Sequence, residues 1–168
     1  ASLEPADTLM SIPVGELDGL LEGDAATRNL RGTVYDLLAH RALATFTNEE
    51  TRITEPAWRF QLDDASWFEL FHPFTHRKLV HRDSSAWEFQ AIQLFQRLER
   101  SHLNDDKLDA HVDVALQRLA FVRSKSTLAN KDSLYLGALE LLRTRLPLDA
   151  CEAEVMATMA KWHVEKAS

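Results

Sequence analysis

The chain has 168 residues, of which 45% are hydrophobic and only five each are glycine and proline. It is therefore apolar enough to bury one sizeable core and lacks the composition of a disordered chain. Its net charge of −7 opposes binding to nucleic acid or to an anionic membrane, because phosphate recognition needs clustered lysine and arginine. No apolar run approaches the roughly 18 residues of a membrane span. We predict one domain over residues 1–168, a protein partner and no membrane span in this segment.

Two helices are predicted near the N-terminus. Apolar residues with helical spacing follow Pro13 and favour a helix from Val14 to Leu21. A second helix follows Thr33, which stands three residues before Asp36 and has the spacing of an N-cap. It extends to Phe46.

The helical pattern breaks between about residues 47 and 84, where two prolines interrupt an aromatic-rich segment. One short helix is predicted inside it, from about Asp64 to Phe71. A segment without regular backbone needs large apolar anchors, so most of its aromatic rings are expected in the core. Aromatic side chains also supply contact area at low entropic cost. Three residues are therefore kept as candidates for a binding surface: Trp58, Trp67 and Phe71.

Four further helices are predicted from apolar residues spaced i, i+3 or i+4, i+7. They run from about Ser85 to Ser101, Lys107 to Arg123, Lys131 to Arg145 and Asp149 to Lys166. Because the links between them are short, neighbouring helices should form antiparallel hairpins. We predict an all-α fold of antiparallel helical hairpins over about residues 85–168, in a tetratricopeptide-like (TPR-like) or α-solenoid arrangement.

Capping residues and helix faces can also be read from these four segments. The predicted N-caps are Ser85, in a capping box with Glu88, then Asp105 or Asp106, and Asp149, in a capping box with Glu152. The predicted buried face of the first helix excludes Glu88, Gln96, Arg97 and Arg100, and that of the third includes Leu141. An alanine stripe that permits close helix approach marks the fourth: Ala153, Ala157 and Ala160.

Seven histidines raise the hypothesis of a metal site. His72 and His76 have the spacing of neighbours on one helix face, and His81 follows, but Pro73 is expected to prevent that helix. A histidine-based metalloenzyme is therefore only a remote alternative. A second polar group surrounds one interhelical turn and is explained more simply by helix capping: His102, Asp105, Asp106 and His111.

The single cysteine, Cys151, falls in the first turn of the last predicted helix, where free amides can activate a thiol. No partner base can be named for it, so we predict a small buried thiol. The sequence has no glycine-rich phosphate loop, nucleophile elbow or paired-cysteine zinc spacing. We predict neither an enzyme nor a cofactor.

The stretch from Arg31 to Leu43, RGTVYDLLAHRAL, resembles a segment near the N-terminal end of very large bacterial alpha-2-macroglobulin-like proteins. The resemblance continues in order through EPAWRF, which ends at Phe60, through LQRLAFV, which ends at Val122, and into the helix that contains Tyr135. It implies a helical region that precedes the macroglobulin β-domains of a large exported protein. Such proteins are associated with trapping or inhibiting peptidases.

The resemblance carries over no reactive residue. The family's thioester uses the pattern Cys-x-Glu-Gln, whereas Cys151 is followed by Glu152, Ala153 and Glu154. The leading hypothesis is a non-enzymatic interaction or scaffold module, excised from the N-terminal region of a cell-envelope protein that is periplasmic or extracellular. Its partner would be a neighbouring domain of the same chain or a peptide. The alternative is a free-standing TPR-like adaptor that binds a peptide.

Overall fold

A computed structural model describes residues 6–17, 30–48, 60–80, 86–104, 108–146 and 150–167. Over these residues the chain is helical and has no strand, which confirms the predicted all-α class. The chain divides into two compact units, residues 1–55 and residues 56–168. They are described separately, and the single domain stays a prediction.

The described residues of the first unit include two helices of five residues or more and a short 3₁₀ turn. Helix α1 spans Ala6–Met10 and contacts helix α2, which spans Val34–Thr47. The predicted helix from Val14 is a 3₁₀ turn, Val14–Leu17, and the rest of that prediction lies outside the described residues. The amide of Val14 donates to the carbonyl of Gly32 at 2.9 Å, which joins this turn to the start of α2.

The start of α2 is fixed by the predicted Thr33 cap. The Asp36 amide donates to Thr33 Oγ1 at 3.2 Å, and the Thr33 amide donates to Asp36 Oδ2 at 3.0 Å. This reciprocal pair satisfies two amides that the first turn would otherwise leave free. Asp36 is itself buried, so the cap also anchors the helix in its unit.

The first helical element described in the second unit is a 3₁₀ turn, Ala65–Phe68, where the sequence predicts a short helix. Five helices follow it among the described residues: α3 His72–Thr75, α4 Trp87–Ser101, α5 Asp109–Lys125, α6 Lys131–Arg145 and α7 Ala150–Ala167. Consecutive members from α3 to α5 are in contact, as are α5 with α6 and α6 with α7. Helix α5 also contacts α7 and the 3₁₀ turn. This packing agrees with a helical-hairpin or bundle arrangement.

The predicted N-caps of α4 and α5 are wrong. The N-caps are Ala86 and Leu108, and neither makes a side-chain capping hydrogen bond. Ser85, Asp105, Asp106 and Asp149 lie outside the described residues. Ala86 and Glu88 are both buried, so the first turn of α4 packs against the core and the prediction that Glu88 lies off the buried face is wrong.

Side chains from α4 satisfy the backbone of the irregular segment. Gln96 Nε2 donates to the carbonyls of Phe74 and Arg77 at 2.8 and 3.0 Å, and Arg100 donates to the carbonyl of Thr75. The prediction that Gln96 lies off the buried face is therefore wrong, whereas Arg100 is exposed as predicted. The last carbonyls of a helix lack intrahelical donors, and Gln96 and Arg100 supply side-chain donors at the C-terminal end of α3.

A fully buried ion pair connects α4, α5 and the irregular segment. Arg118 Nε donates to Glu99 Oε1 at 2.5 Å, and both side chains are inaccessible to solvent. The other guanidinium nitrogens of Arg118 donate to the carbonyls of Trp67 and Glu69 at 2.7 and 2.9 Å. The guanidinium also lies 3.9 Å from the centre of the Phe74 ring. One side chain thus binds the helices to a segment without regular structure.

Helix α7 packs through a narrower face than the sequence predicts. Cys151 and Val155 are buried, but the alanine stripe is exposed together with Met156 and Val164. The stripe, which is Ala153, Ala157 and Ala160, is therefore not used for close approach to a described helix. Cys151 and Val155 form the buried face of α7 instead.

Candidate functional site

An open cleft of about 590 Å³ lies in the second unit, where α3, the turn after α4 and the end of α6 meet. We call it the Phe71 cleft. Its walls include Phe71, His72, Pro73, Leu103, Leu141 and Arg145. The volume falls within the range of about 300 to 1,000 Å³ that is usual for ligand sites. Its lining presents both apolar and charged groups.

Phe71 gives the cleft a rigid wall. Its backbone has φ 56° and ψ −135°, a conformation that costs a non-glycine residue about 1 to 3 kcal/mol. Its ring stacks on the buried imidazole of His111, with centroids 5.3 Å apart and an interplanar angle of 7°. His111 Nδ1 lies 3.3 Å from the carbonyl oxygen of Glu99, to which it donates. Stored strain and a braced ring are typical of a functional position.

The rest of the wall combines an exposed leucine with two opposite charges. Leu141 is 45% exposed, although the sequence placed it on the buried face of α6. Helix α6 instead buries Tyr135, Ala138, Leu139 and Leu142. Arg145 is exposed, and the structure gives it no hydrogen bond or ion pair within the described residues. The carboxylate of Glu69 is exposed at the same cleft.

Two histidines that the sequence separates are brought together at the edge of this cleft. His72 Nδ1 and His76 Nδ1 are 3.4 Å apart, so the expectation that Pro73 would prevent this geometry is wrong. Pro73 lies in the first turn of α3, where its missing amide has no helical partner to lose. His81 lies outside the described residues.

The other residues singled out from the sequence have different positions. Trp67 is only 5% exposed and lies edge-on to Phe60, with centroids 5.6 Å apart, so it acts as a core anchor. Trp58 lies outside the described residues. Of the three aromatic candidates, Phe71 alone is placed by the structure at a cleft. The sequence did not indicate Leu103 or Arg145 as site residues, because their proximity depends on packing between helices that are distant in sequence.

The predicted buried thiol is confirmed. Cys151 is 3% exposed, and its Sγ donates to Asp109 Oδ1 at 2.6 Å. This bond joins the first turns of α7 and α5. A carboxylate next to the sulfur disfavours a thiolate, so the arrangement fits a structural thiol. His102 and His111 are both buried, and the two aspartates grouped with them lie outside the described residues.

Comparison with known proteins gives no match: no family model, curated protein or solved structure matches the chain. The resemblance to alpha-2-macroglobulin-like proteins therefore stays a prediction. None of the described helices combines the length and apolarity needed to cross a membrane. In the same part of the chain, no three or more His, Cys, Asp or Glu side chains form a group that could hold a metal ion.

Proposed function

We propose that this chain is a non-enzymatic helical interaction module and that the Phe71 cleft binds a peptide segment of a partner protein. The proposal rests on one observation. An open cleft of about 590 Å³ lies beside a strained, braced aromatic residue, and a large aliphatic side chain, Leu141, is left exposed on its wall. Aromatic and aliphatic side chains in a concave surface are the usual anchors of a protein interface.

The charges of the cleft narrow the chemistry of its occupant. Arg145 has no ionic partner among the described residues, and Glu69 offers an exposed carboxylate at the same cleft. A peptide with an apolar centre and charges of opposite sign on its two flanks would complement both groups. Phe71, Pro73 and Leu141 would contact the apolar centre. The proposed occupant of the cleft is such a segment, supplied by a separate polypeptide.

The test uses labelled hexapeptides in fluorescence anisotropy. The probe has a central Leu-Phe pair flanked by Asp on one side and Lys on the other. Matched peptides have serine at the flanks or at the centre. We expect a Kd on the order of 10 to 100 µM for the probe, as for a small transient interface. Loss of the apolar centre should abolish binding, and neutral flanks should weaken it.

Substitutions locate the binding surface. Leu141→Ser should weaken binding about tenfold, which corresponds to about 1.4 kcal/mol, and Arg145→Gln should remove the preference for an acidic flank. Val164→Ser is the matched control, because Val164 is an exposed aliphatic residue on a different helix, α7. The proposal fails if the control weakens binding as much as Leu141→Ser does, or if the probe does not bind. It also fails if the parent protein fills the cleft with a segment of its own.

We also propose that the module belongs to the N-terminal region of a large cell-envelope protein of the alpha-2-macroglobulin-like class. The support is the resemblance that begins at Arg31 and continues through three later blocks. The all-helical architecture is compatible with a region that precedes β-domains. Association with peptidase inhibition would then be a property of the parent protein and not of this segment.

The sequence of the parent gene tests this second proposal. An export or lipoprotein signal upstream, and repeated β-domains with a Cys-x-Glu-Gln site downstream, are the expected result. A coding sequence without such β-domains would exclude the envelope assignment and favour the free-standing adaptor. The peptide experiment is unaffected by either outcome, because it uses the chain alone.

A further inference from the structure

Two imidazoles meet at the surface of α3 with the separation of a metal chelate. The Nδ1 atoms of His72 and His76 are 3.4 Å apart, and the ring centroids are 5.0 Å apart. Both side chains are exposed. A tetrahedral zinc ion with Zn–N bonds of about 2.0 to 2.1 Å holds two nitrogen ligands about 3.3 to 3.4 Å apart. The separation of the two Nδ1 atoms therefore matches that of two ligands of one zinc ion.

The backbone under the two histidines is held in place. The His76 amide donates to the His72 carbonyl at 3.0 Å, which closes the helical turn between them. The carbonyls of Phe74 and Arg77 accept from Gln96. Phe74 is completely buried, so the turn is fixed to the core from beneath. Ligands on a rigid element lose little conformational entropy when the ion binds.

A third polar atom is close to the same point. Thr75 Oγ1 lies 2.9 Å from His76 Nδ1, on the buried side of the pair. The Thr75 hydroxyl and the His72 ring are therefore alternative hydrogen-bond partners of the His76 Nδ1 atom, and an ion bound at this nitrogen would replace them. Imidazole nitrogen suits zinc, copper and nickel, whereas magnesium and calcium prefer oxygen ligands.

We propose that His72 and His76 bind one divalent transition-metal ion through their Nδ1 atoms, with water completing its coordination. The zinc ion is the reference member of this class. The site is separate from the proposed peptide function, although His72 also lines the edge of the Phe71 cleft. It is a binding site of two protein ligands and implies no reaction.

The experiment titrates the untagged chain with Zn²⁺ alone, in a buffer that does not bind metal, by isothermal calorimetry. We expect one ion per chain and no binding of Mg²⁺ under the same conditions. His72→Ala and His76→Ala should each weaken zinc binding by at least about tenfold, since even outer-shell partners of metal ligands are worth about 10- to 100-fold. Circular dichroism checks that both variants fold, as expected for exposed side chains.

His163→Ala is the matched control, because His163 is also exposed but lies on α7. Its zinc affinity should equal that of the unmodified chain. In histidine NMR spectra, zinc should shift the ring resonances of residues 72 and 76 together and leave those of residue 163 in place. The proposal is overturned if the two α3 variants bind zinc as tightly as the control, or if no binding is detected at about 1 mM zinc.

Discussion

Arg118 contributes to the fold in a way that can be measured. Burial raises the pKa of Glu99, and the adjacent Arg118 opposes this rise. Removing the guanidinium would leave the buried Glu99 carboxyl group, the buried Trp67 carbonyl and the partly buried Glu69 carbonyl without their donor. We expect Arg118→Met to lower the free energy of unfolding by about 3 to 5 kcal/mol, the usual cost of breaking a buried pair. Urea denaturation measures the loss.

A second substitution separates the ion pair from simple packing. The double variant Arg118→Met/Glu99→Met removes both charged groups, so it should be more stable than Arg118→Met alone. It should remain less stable than the unmodified chain, because the carbonyls of Trp67 and Glu69 keep no donor. If the double variant is the less stable of the two, the stranded carboxyl is not the source of the loss.

Phe71 provides a test of backbone strain. Its positive φ favours glycine, whereas both glycine and alanine remove the ring that stacks on His111. Relief of strain is worth about 1 to 3 kcal/mol, and the extra flexibility of glycine costs about 0.5 to 1 kcal/mol. We expect Phe71→Gly to be more stable than Phe71→Ala by about 1 kcal/mol in urea denaturation. The reverse order would show that the position is not strained.

At the scale of helices, a charge network joins the ends of α5, α6 and α7. Arg123 on α5 donates to Asp132 Oδ1 at 2.7 Å and to both oxygens of Glu165 on α7, at 2.8 and 3.0 Å. Lys166 Nζ lies 2.6 Å from Asp132 Oδ2. Asp132 is thus shared by cations of two different helices, and it fixes the N-terminal turn of α6 between them.

The network predicts a stability that depends on pH. Hydrogen bonds from Lys166 and then Arg123 lower the pKa of Asp132 to about 2 from an ordinary value of 3.8. Between these two values the unfolded chain binds more protons than the folded chain, so the free energy of unfolding falls as the pH drops from about 4 to about 2. Since about a third of the Asp132 side chain is exposed, its contribution to the free energy of unfolding is on the order of 1 kcal/mol.

The midpoints of urea unfolding at about pH 5 and about pH 2.5 test this contribution of Asp132 to stability. Asp132→Asn should show a smaller difference between the two midpoints than the unmodified chain. Asp63→Asn is the matched control, because the Asp63 carboxylate makes no hydrogen bond within the described residues. An equal reduction in the control would assign the effect to the loss of any acidic group. Added salt should also narrow the difference, since it screens partly exposed pairs.

The helices show how much of this fold follows from sequence. Periodic apolar residues predict the ends of α4 to α7 to within about two residues, because each helix exposes one polar face to water. Helix α6 begins and ends at the predicted positions. The buried polar residues were not predicted. Gln96, Glu99 and Arg118 look like surface residues in a periodic pattern, and their burial depends on hydrogen-bond partners 19 to 51 residues away in the chain.

The candidate sites were predicted only in part. The sequence identified Phe71 and the histidine pair, because their residue types are informative, but it dismissed the pair through Pro73. A proline is compatible with the first turn of a helix, and whether Pro73 lies there depends on the backbone at Phe71. Leu141 and Arg145 are one turn apart on α6, whereas Leu103 follows α4, so only tertiary packing brings Leu103 to the same cleft.

At the scale of the whole molecule, the second compact unit has a core of its own. Residues 56–168 contain the Arg118 ion pair, the contacts among α4 to α7 and the parallel bridge between Leu62 and Ser126. We expect residues 56–168, produced alone, to unfold in one cooperative urea transition. Arg118→Met should lower its midpoint as it does in the full chain, because every partner of Arg118 named above lies within this unit. The single domain predicted from sequence requires instead that residues 56–168 alone show no cooperative transition, so the same denaturation curve decides between one domain and two.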